Sequence, residues 1–322
     1  MKSEKDIEII ESIKQLNLYG YGKYFNSFKN LYKKDKLPNV MLLSGQKGLG
    51  KSTFAYHFIN FLLSNNETDK YSYENFSINS DNNSFKLIQN GTHPNFFLLN
   101  NFSPNENIKI DQTKNLLKYL SKTTYSQPLK IVLLDNAEYL NISSSNALLK
   151  ALEEPLDNTF FFIIYNDSSK ILNTIKSRCI DYKFYFTTEE KKKIFNKINE
   201  NYLLDFNHKN LDKFLYFDTP GNLLRYLIVL KNSNLDICKD TLSCILFLID
   251  LYKSKKDSSL LNLITLFIEY YYNELSLNNS NNINNYFNNR NKILYLIDNM
   301  NKFNLDKKNL LFSIDKIVRN EK

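Results

Sequence analysis

The chain predicts an α/β domain, a parallel sheet with helices on both faces, followed by an all-helical remainder. Short, continuously apolar runs alternate with amphipathic helical segments as far as residue 186, and the strand signal then stops. A third observation fixes the kind of domain: 45-GQKGLGKS-52 fits GxxxxGK[ST] and lies between a predicted strand and a predicted helix. The expected division is a nucleotide-binding domain over 1–186, a small helical unit over 187–232 and a second helical unit over 233–322.

The elements follow in order. Residues 1–38 read as two helices, with Gly20 and Gly22 at the join and Pro38 ending the second. Then 39-NVMLLS-44 predicts a buried strand and 51-KSTFAYHFINFLL-63 a helix. Residues 64–92 are polar and without period, which predicts a surface excursion. A strand is expected at 95-NFFLLN-100 and a helix at 111-DQTKNLLKYLSK-122, with Asp111 as N-cap. The strand 130-KIVLLD-135, the helix 143-SSSNALLKALEEP-155 and the strand 159-TFFFIIYN-166 come next. The helix 168-SSKILNTIKSR-178 and the strand 180-IDYKFYF-186 close the series. The helical part opens on TTEEKKKIFNKINE, a threonine cap with glutamates in the first turn. Its Asn-rich stretch 276-SLNNSNNINNYFNNRN-291 fits an irregular loop or a helical hairpin equally.

Composition limits the function classes. Of 322 residues, 43% are hydrophobic and 24% charged, the balance of a soluble protein. No run of about 18 apolar residues suggests a membrane span. The N-terminal segment lacks the apolar core of a signal peptide. The three cysteines, Cys179, Cys238 and Cys244, form no CxxC pair, so neither a zinc site nor a disulfide framework is expected, and a reducing cytoplasm fits. The net charge of +8 suits a polyanionic partner. Half of that weight is discounted, because richness in Asn, Lys, Ile and Tyr is the imprint of an AT-rich genome.

In the Gly-rich turn, Gly45, Gly48 and Gly50 let backbone N–H groups face phosphate oxygens. Lys51 can reach the β- and γ-phosphates of ATP or ADP, Ser52 can hold Mg²⁺, and Thr53 follows in the same helix start. Asp135, at the end of an apolar strand, is the natural carboxylate on the metal side, or else the N-cap of the next helix. The next position decides the mechanism. Asn136 can orient water but cannot take up its charge, so hydrolysis should be weak. Glu138 is expected to point elsewhere. Asn166 is a candidate γ-phosphate sensor or a polar strand end, with equal weight. In 143–155, Ala147, Leu148, Ala151 and Leu152 form a core stripe, and Ser143, Ser144 and Ser145 could offer backbone N–H groups to DNA phosphates. His93 and Cys179 read as packing residues, and Arg178 as a cation at a helix end.

The run SSSNALLKALEEP, then TFFFIIYN, then 175-IKSRC-179 resembles the AAA+ clamp-loader subunits of bacterial DNA polymerase III, and within them the delta-prime type. GTHPNFFLL (91–99) and IKIDQTKNLLKYL (108–120) resemble the segments flanking the same sheet, and FNLDKKNLLFSI (303–314) the end of the alphaproteobacterial collar domain. The resemblance implies an AAA+ domain, a lid and an oligomerising collar. It implies that Arg178 is an arginine finger, presented in trans to nucleotide on a neighbouring subunit. It implies gamma/tau and delta subunits as partners, the sliding clamp through the complex, and primed DNA bound without sequence preference. Two departures stand out. The four zinc-binding cysteines of many relatives are missing from 64–92, and Gly221 stands where the lid carries a second sensor arginine, with Arg225 nearby. The reading is a subunit that binds ATP or ADP with Mg²⁺ and turns it over poorly. An active gamma/tau-like motor is the alternative, and a P-loop ATPase outside replication a more distant one.

Overall fold

The computed structural model describes residues 8–101, 106–122, 128–167, 169–202, 214–232, 241–255, 258–278, 282–303 and 307–319. They form two compact units. The first comprises the described residues of 9–202 with Thr219–Asn222, and the second Glu8 with the described residues of 214–218 and 223–319.

The first unit is built on five parallel strands: β1 (Val40–Gly45), β2 (Phe96–Leu99), β3 (Lys130–Leu134), β4 (Thr159–Asn166) and β5 (Ile180–Lys183), in the order β2-β3-β4-β1-β5. Successive side chains leave a strand on opposite faces, and both faces here are apolar. Met41, Leu43, Ile131, Leu133, Phe162 and Ile164 join one core cluster, whereas Val40, Leu42, Val132, Leu134, Phe161 and Ile163 join the other. On the first face lie α1 (Gly22–Lys33), α2 (Lys51–Leu63) and α3 (Asn83–Gln89). On the second lie α4 (Ile110–Ser121), α5 (Ile142–Glu153) and the single turn α6 (Asn173–Lys176). The fold class is the one the alternating pattern predicts.

Phe25, Phe28, Phe54 and Phe58 interlock α1 with α2, with ring centroids 5.2 to 6.3 Å apart across the two helices. Offset and edge-on aromatic pairs add about 0.5–1.5 kcal/mol each beyond the area they bury. His57 on α2 is fully buried between the Tyr71 hydroxyl and the carbonyl of Gln15, each 3.1 Å away.

Several boundaries differ from expectation. The first predicted helix is reduced, among the described residues, to a 3-10 turn at Ser12–Lys14, because residues 16–18 pair instead with residues 76–78. The polar stretch 64–92 is no mere surface excursion. It contains α3, and Tyr71, Ile78, Phe85 and Ile88 anchor it in the core. Widely spaced apolar residues do not show as a period, which is why the pattern missed them. Asp111 sits inside the first turn of α4 rather than capping it, and the Gln112 side chain instead accepts from the Lys109 N–H at 2.9 Å. The helix over 168–178 shrinks to α6, Ser168 lying outside the described residues. The capping threonine does hold: Thr187 Oγ1 accepts from Glu190 N, and the Glu190 carboxylate accepts from Thr187 N, ahead of α7 (Thr188–Tyr202).

Helix α8 (Pro220–Asn232) starts in the first unit. In the second, α9 (Thr241–Lys255) packs on α10 (Ser258–Asn278), α10 on α11 (Ile283–Phe303) and α11 on α12 (Lys307–Arg319), which returns to α9. The Asn-rich stretch is therefore mostly the arms of a helical hairpin. Arg290 and Glu269 tie those arms together at 2.8 Å. No helix among the described residues is long and apolar enough to cross a membrane.

Candidate nucleotide site

Parallel strands bring their carboxyl ends to one edge, where ligands of open α/β sheets bind. Strand order decides which residues meet there. β4 lies between β1 and β3, so Asn166 falls opposite Gly45 in register, and Asp135 follows the last residue of β3 on the other side. The Gly-rich turn then wraps from β1 into α2, with Gly45, Gly48 and Gly50 at φ of 145°, 82° and 91°. Side chains avoid those values, so glycine is required.

The turn's carbonyls are engaged and its N–H groups are free. Gly45 O and Gln46 O accept from Lys51 Nζ at 2.7 and 2.8 Å. Leu49 O accepts from the buried Tyr21 hydroxyl at 3.1 Å, and Gly50 O from Phe54 N at 2.9 Å. Among the described residues, the N–H groups of 46–50 have no protein acceptor. A concavity lined by successive free N–H groups at the start of a helix is an anion site.

Lys51 is 4% exposed, and its ammonium also donates to Asn166 Oδ1 at 2.9 Å. Burial pulls its pKa down to about 8, against the opposing pull of Glu138, Asp167 and Asp135. Ser52 Oγ donates to both carboxylate oxygens of Asp135, at 3.1 and 3.2 Å. Burial raises the Asp135 pKa, while the Ser52 and Asn136 hydrogen bonds lower it. A hydroxyl beside a desolvated carboxylate is the hard oxygen pair that suits Mg²⁺, and a divalent cation would offset the desolvation. Thr53 stands half-buried in the first turn of α2.

Asn136 occupies the left-handed region (φ 60°, ψ 56°), and its amide donates to Asn101 Oδ1 at 3.2 Å. Asparagine tolerates that conformation and longer side chains pay for it, which gives position 136 a backbone reason for its residue. The expectation for Glu138 is corrected. The 3-10 turn Ala137–Tyr139 swings its carboxylate into the site, where Oε1 accepts from Asn166 Nδ2. Its Oε2 is buried and finds no hydrogen-bond partner among the described residues. Lys51, Asn166 and Glu138 thus form one chain of hydrogen bonds, which orders Asn166 more closely than a plain strand end would be.

Arg178 lies apart from these groups. Its guanidinium donates to Glu153, with Nε to Oε1 at 2.7 Å and Nη2 to the same oxygen, and to Thr174 O at 2.8 Å. The first acidic residue of the LEEP run (152–155), Glu153, therefore holds the arginine of SRC. Ser144 N and Ser145 N donate to the Oδ1 and carbonyl of Asn141, the N-cap of α5, so these two N–H groups are already satisfied within the helix start. Leu148 and Leu152 are buried, as the stripe predicts. Cys179 is half-buried, and burial pushes its thiol up to about 12, which fits an unreactive packing residue. His93 fixes a turn by accepting from Asn95 N at 3.1 Å. Arg225 is exposed on α8, and Cys238 falls outside the described residues. Among the described residues, no cluster of three or more His, Cys, Asp or Glu could hold a metal.

Comparison with known proteins places this geometry in context. The family model described as "DNA polymerase III, delta subunit" matches residues 20–187. The DNA polymerase III subunit delta' of Pseudomonas aeruginosa is 34% identical over 142 residues, 44% of this chain and 42% of that one. The subunit delta' of Buchnera aphidicola from Acyrthosiphon pisum is 28% identical over 180 residues, 54% of this chain and 51% of the relative. The subunit gamma of the same Buchnera is 28% identical over 210 residues, 63% of this chain and 55% of the relative. The chain thus spans about half the length of the curated relatives it matches. Among solved structures, a gamma subunit-related protein of DNA polymerase III from Thermotoga maritima aligns over 91% of this chain and 98% of its own, at 16% identity and a TM-score of 0.47.

Proposed function

Because the chain belongs to the DNA polymerase III delta-subunit family, whose model matches residues 20–187, we propose that it is a delta-prime-like subunit of the clamp loader. In this reading it joins gamma/tau and delta subunits in the cytoplasm and helps to place the sliding clamp on primed DNA, which the complex contacts without sequence preference. The domains are those the sequence suggests: nucleotide-binding over 1–186, a lid over 187–232 and an oligomerising collar over 233–322.

The site holds ATP or ADP with Mg²⁺. Backbone N–H groups between Gly45, Gly48 and Gly50 bind phosphate oxygens, Lys51 turns from its carbonyls to the outer phosphates, and Thr53 adds to the start of α2. Ser52 and Asp135 hold the cation, which supplies charge neutralisation when bound. Asn166 faces the terminal phosphate. The observation that carries the weak-turnover reading is Asn136, held by Asn101 in a left-handed turn with no carboxylate to polarise water. Arg178 then serves a neighbour's nucleotide in trans, and its hydrogen-bond partners Glu153 and Thr174 lie away from the Gly-rich turn.

A second reading, a gamma-like motor that hydrolyses its own ATP, has support in the subunit gamma relative matching 63% of the chain and in the inward-facing Glu138. Steady-state ATP turnover separates the two. The chain alone should stay near background, and Arg178→Ala should cut the clamp- and DNA-stimulated turnover of the reconstituted complex at least tenfold. Robust turnover by the isolated chain would favour the motor, and full stimulation with Arg178→Ala would remove the finger.

A further inference from the structure

Two carbonyls of the Gly-rich turn point away from its other partners, and both are met from far along the chain. Thr219 Oγ1 donates to Lys47 O at 2.8 Å, and Asn222 Nδ2 donates to the same oxygen at 3.3 Å. Gly221 N donates to Gly48 O at 3.0 Å. That carbonyl therefore accepts one of the N–H groups that the first turn of α8 would otherwise leave without an acceptor. The fit has no slack. A Cβ on Gly221 would lie 2.5 Å from Gly48 O, and a Cβ on Gly48 would lie 2.3 Å from Thr219 Oγ1.

We propose that Thr219, Gly221 and Asn222 are positioning residues for nucleotide: a strap that holds the Gly-rich turn with its carbonyls outward and its N–H groups inward. The proposal rests on the nucleotide-holding role given above and deepens it. A turn rich in glycine can rotate its peptide planes at little steric cost, and each rotated plane would put a carbonyl oxygen where a phosphate oxygen must sit. With 45 and 46 held by Lys51, 49 by Tyr21 and 50 by the α2 backbone, carbonyls 47 and 48 are the ones left for the strap to fix. Lys51 must leave 45 and 46 to reach a phosphate, so the strap matters most when ligand arrives. The glycine at 221 also gains a physical reason. No side chain fits there while the amide stays on Gly48 O, so an arginine at this position and the strap exclude each other.

Apparent affinity falls in proportion to the fraction of competent turn. If loss of the strap leaves the inward arrangement about one-tenth populated, affinity falls about tenfold. Linkage requires that bound nucleotide in turn protects the Gly221 amide. The test is calorimetric titration of the full chain with Mg-ADP and Mg-ATP, using wild type, Gly221→Ala, Thr219→Val with Asn222→Ala, and Thr219→Ser. Alanine favours a helix over glycine, so Gly221→Ala breaks the contact without weakening α8, and melting by circular dichroism confirms the fold. Gly221→Ala and the double variant should bind at least tenfold more weakly, Thr219→Ser should bind like wild type, and Mg-ADP should slow hydrogen exchange at the wild-type Gly221 amide. Variants that fold and bind with wild-type affinity overturn the strap while leaving the nucleotide site standing. A wild type that binds neither nucleotide overturns both.

Discussion

If the proposed site binds phosphate through the buried ammonium of Lys51, that binding should depend on pH. Burial lowers its pKa to about 8 in the nucleotide-free chain. Phosphate oxygens need the charged form, and their negative charge holds it protonated in the complex. Affinity should therefore fall as pH rises through about 8, by a factor of one plus ten raised to the difference between pH and pKa. Between about pH 7.5 and 9.5 that amounts to roughly 25-fold weaker binding, close to 1.9 kcal/mol. Stability of the free chain moves the other way. The folded pKa lies below the usual 10.5, so the unfolded chain holds more protons across the interval from 8 to 10.5, and stability rises with pH there. The assay is calorimetric titration with Mg-ADP across that range, in two buffers of different ionisation enthalpy, to count the proton taken up. Lys51→Arg, which keeps its charge throughout, is the control and should bind with little change over the same range. Equal affinities for wild type at both ends, or an equal slope in Lys51→Arg, would refute the reasoning.

Two further outcomes follow from the same geometry. Asp135→Asn removes a carboxylate that burial pushes toward the neutral form while keeping an acceptor for Ser52. The nucleotide-free variant should melt above wild type at neutral pH, and Mg²⁺ should no longer strengthen nucleotide binding; a lower melting temperature with Mg²⁺ dependence intact contradicts this. His57 is held neutral by burial, its pKa lowered to about 4 from 6.5. The unfolded chain binds more protons between those values, so wild-type stability should drop as pH falls from 6.5 toward 4, by up to about 3 kcal/mol beyond any drop in His57→Phe. Urea midpoints that fall in parallel for the two proteins would exclude the histidine as the cause.

Most of this protein was legible along the chain because its signals are local. The central strands are short, mostly apolar runs, and β4 was read to the residue at 159–166. The Gly-rich turn and the start of α2 at Lys51 were equally plain, since a phosphate cradle demands glycine at fixed offsets. The sequence determined the fold class and the family that NALLKALEEP and SRC point to, and it singled out Lys51, Ser52, Asp135 and Asn166 as candidates. Tertiary structure decided which of them meet. Pairing of β1 with both β4 and β5 sets Asn166 beside Gly45, and no local pattern encodes strand order. Spacing misjudged Glu138, because a one-turn 3-10 helix, not a continuing α-helix, sets its direction. Thr219 and Asn222 reach the turn from 172 and 175 residues away. A contact of two hydroxyl and amide donors with one carbonyl carries no periodicity, so only the folded chain could reveal it.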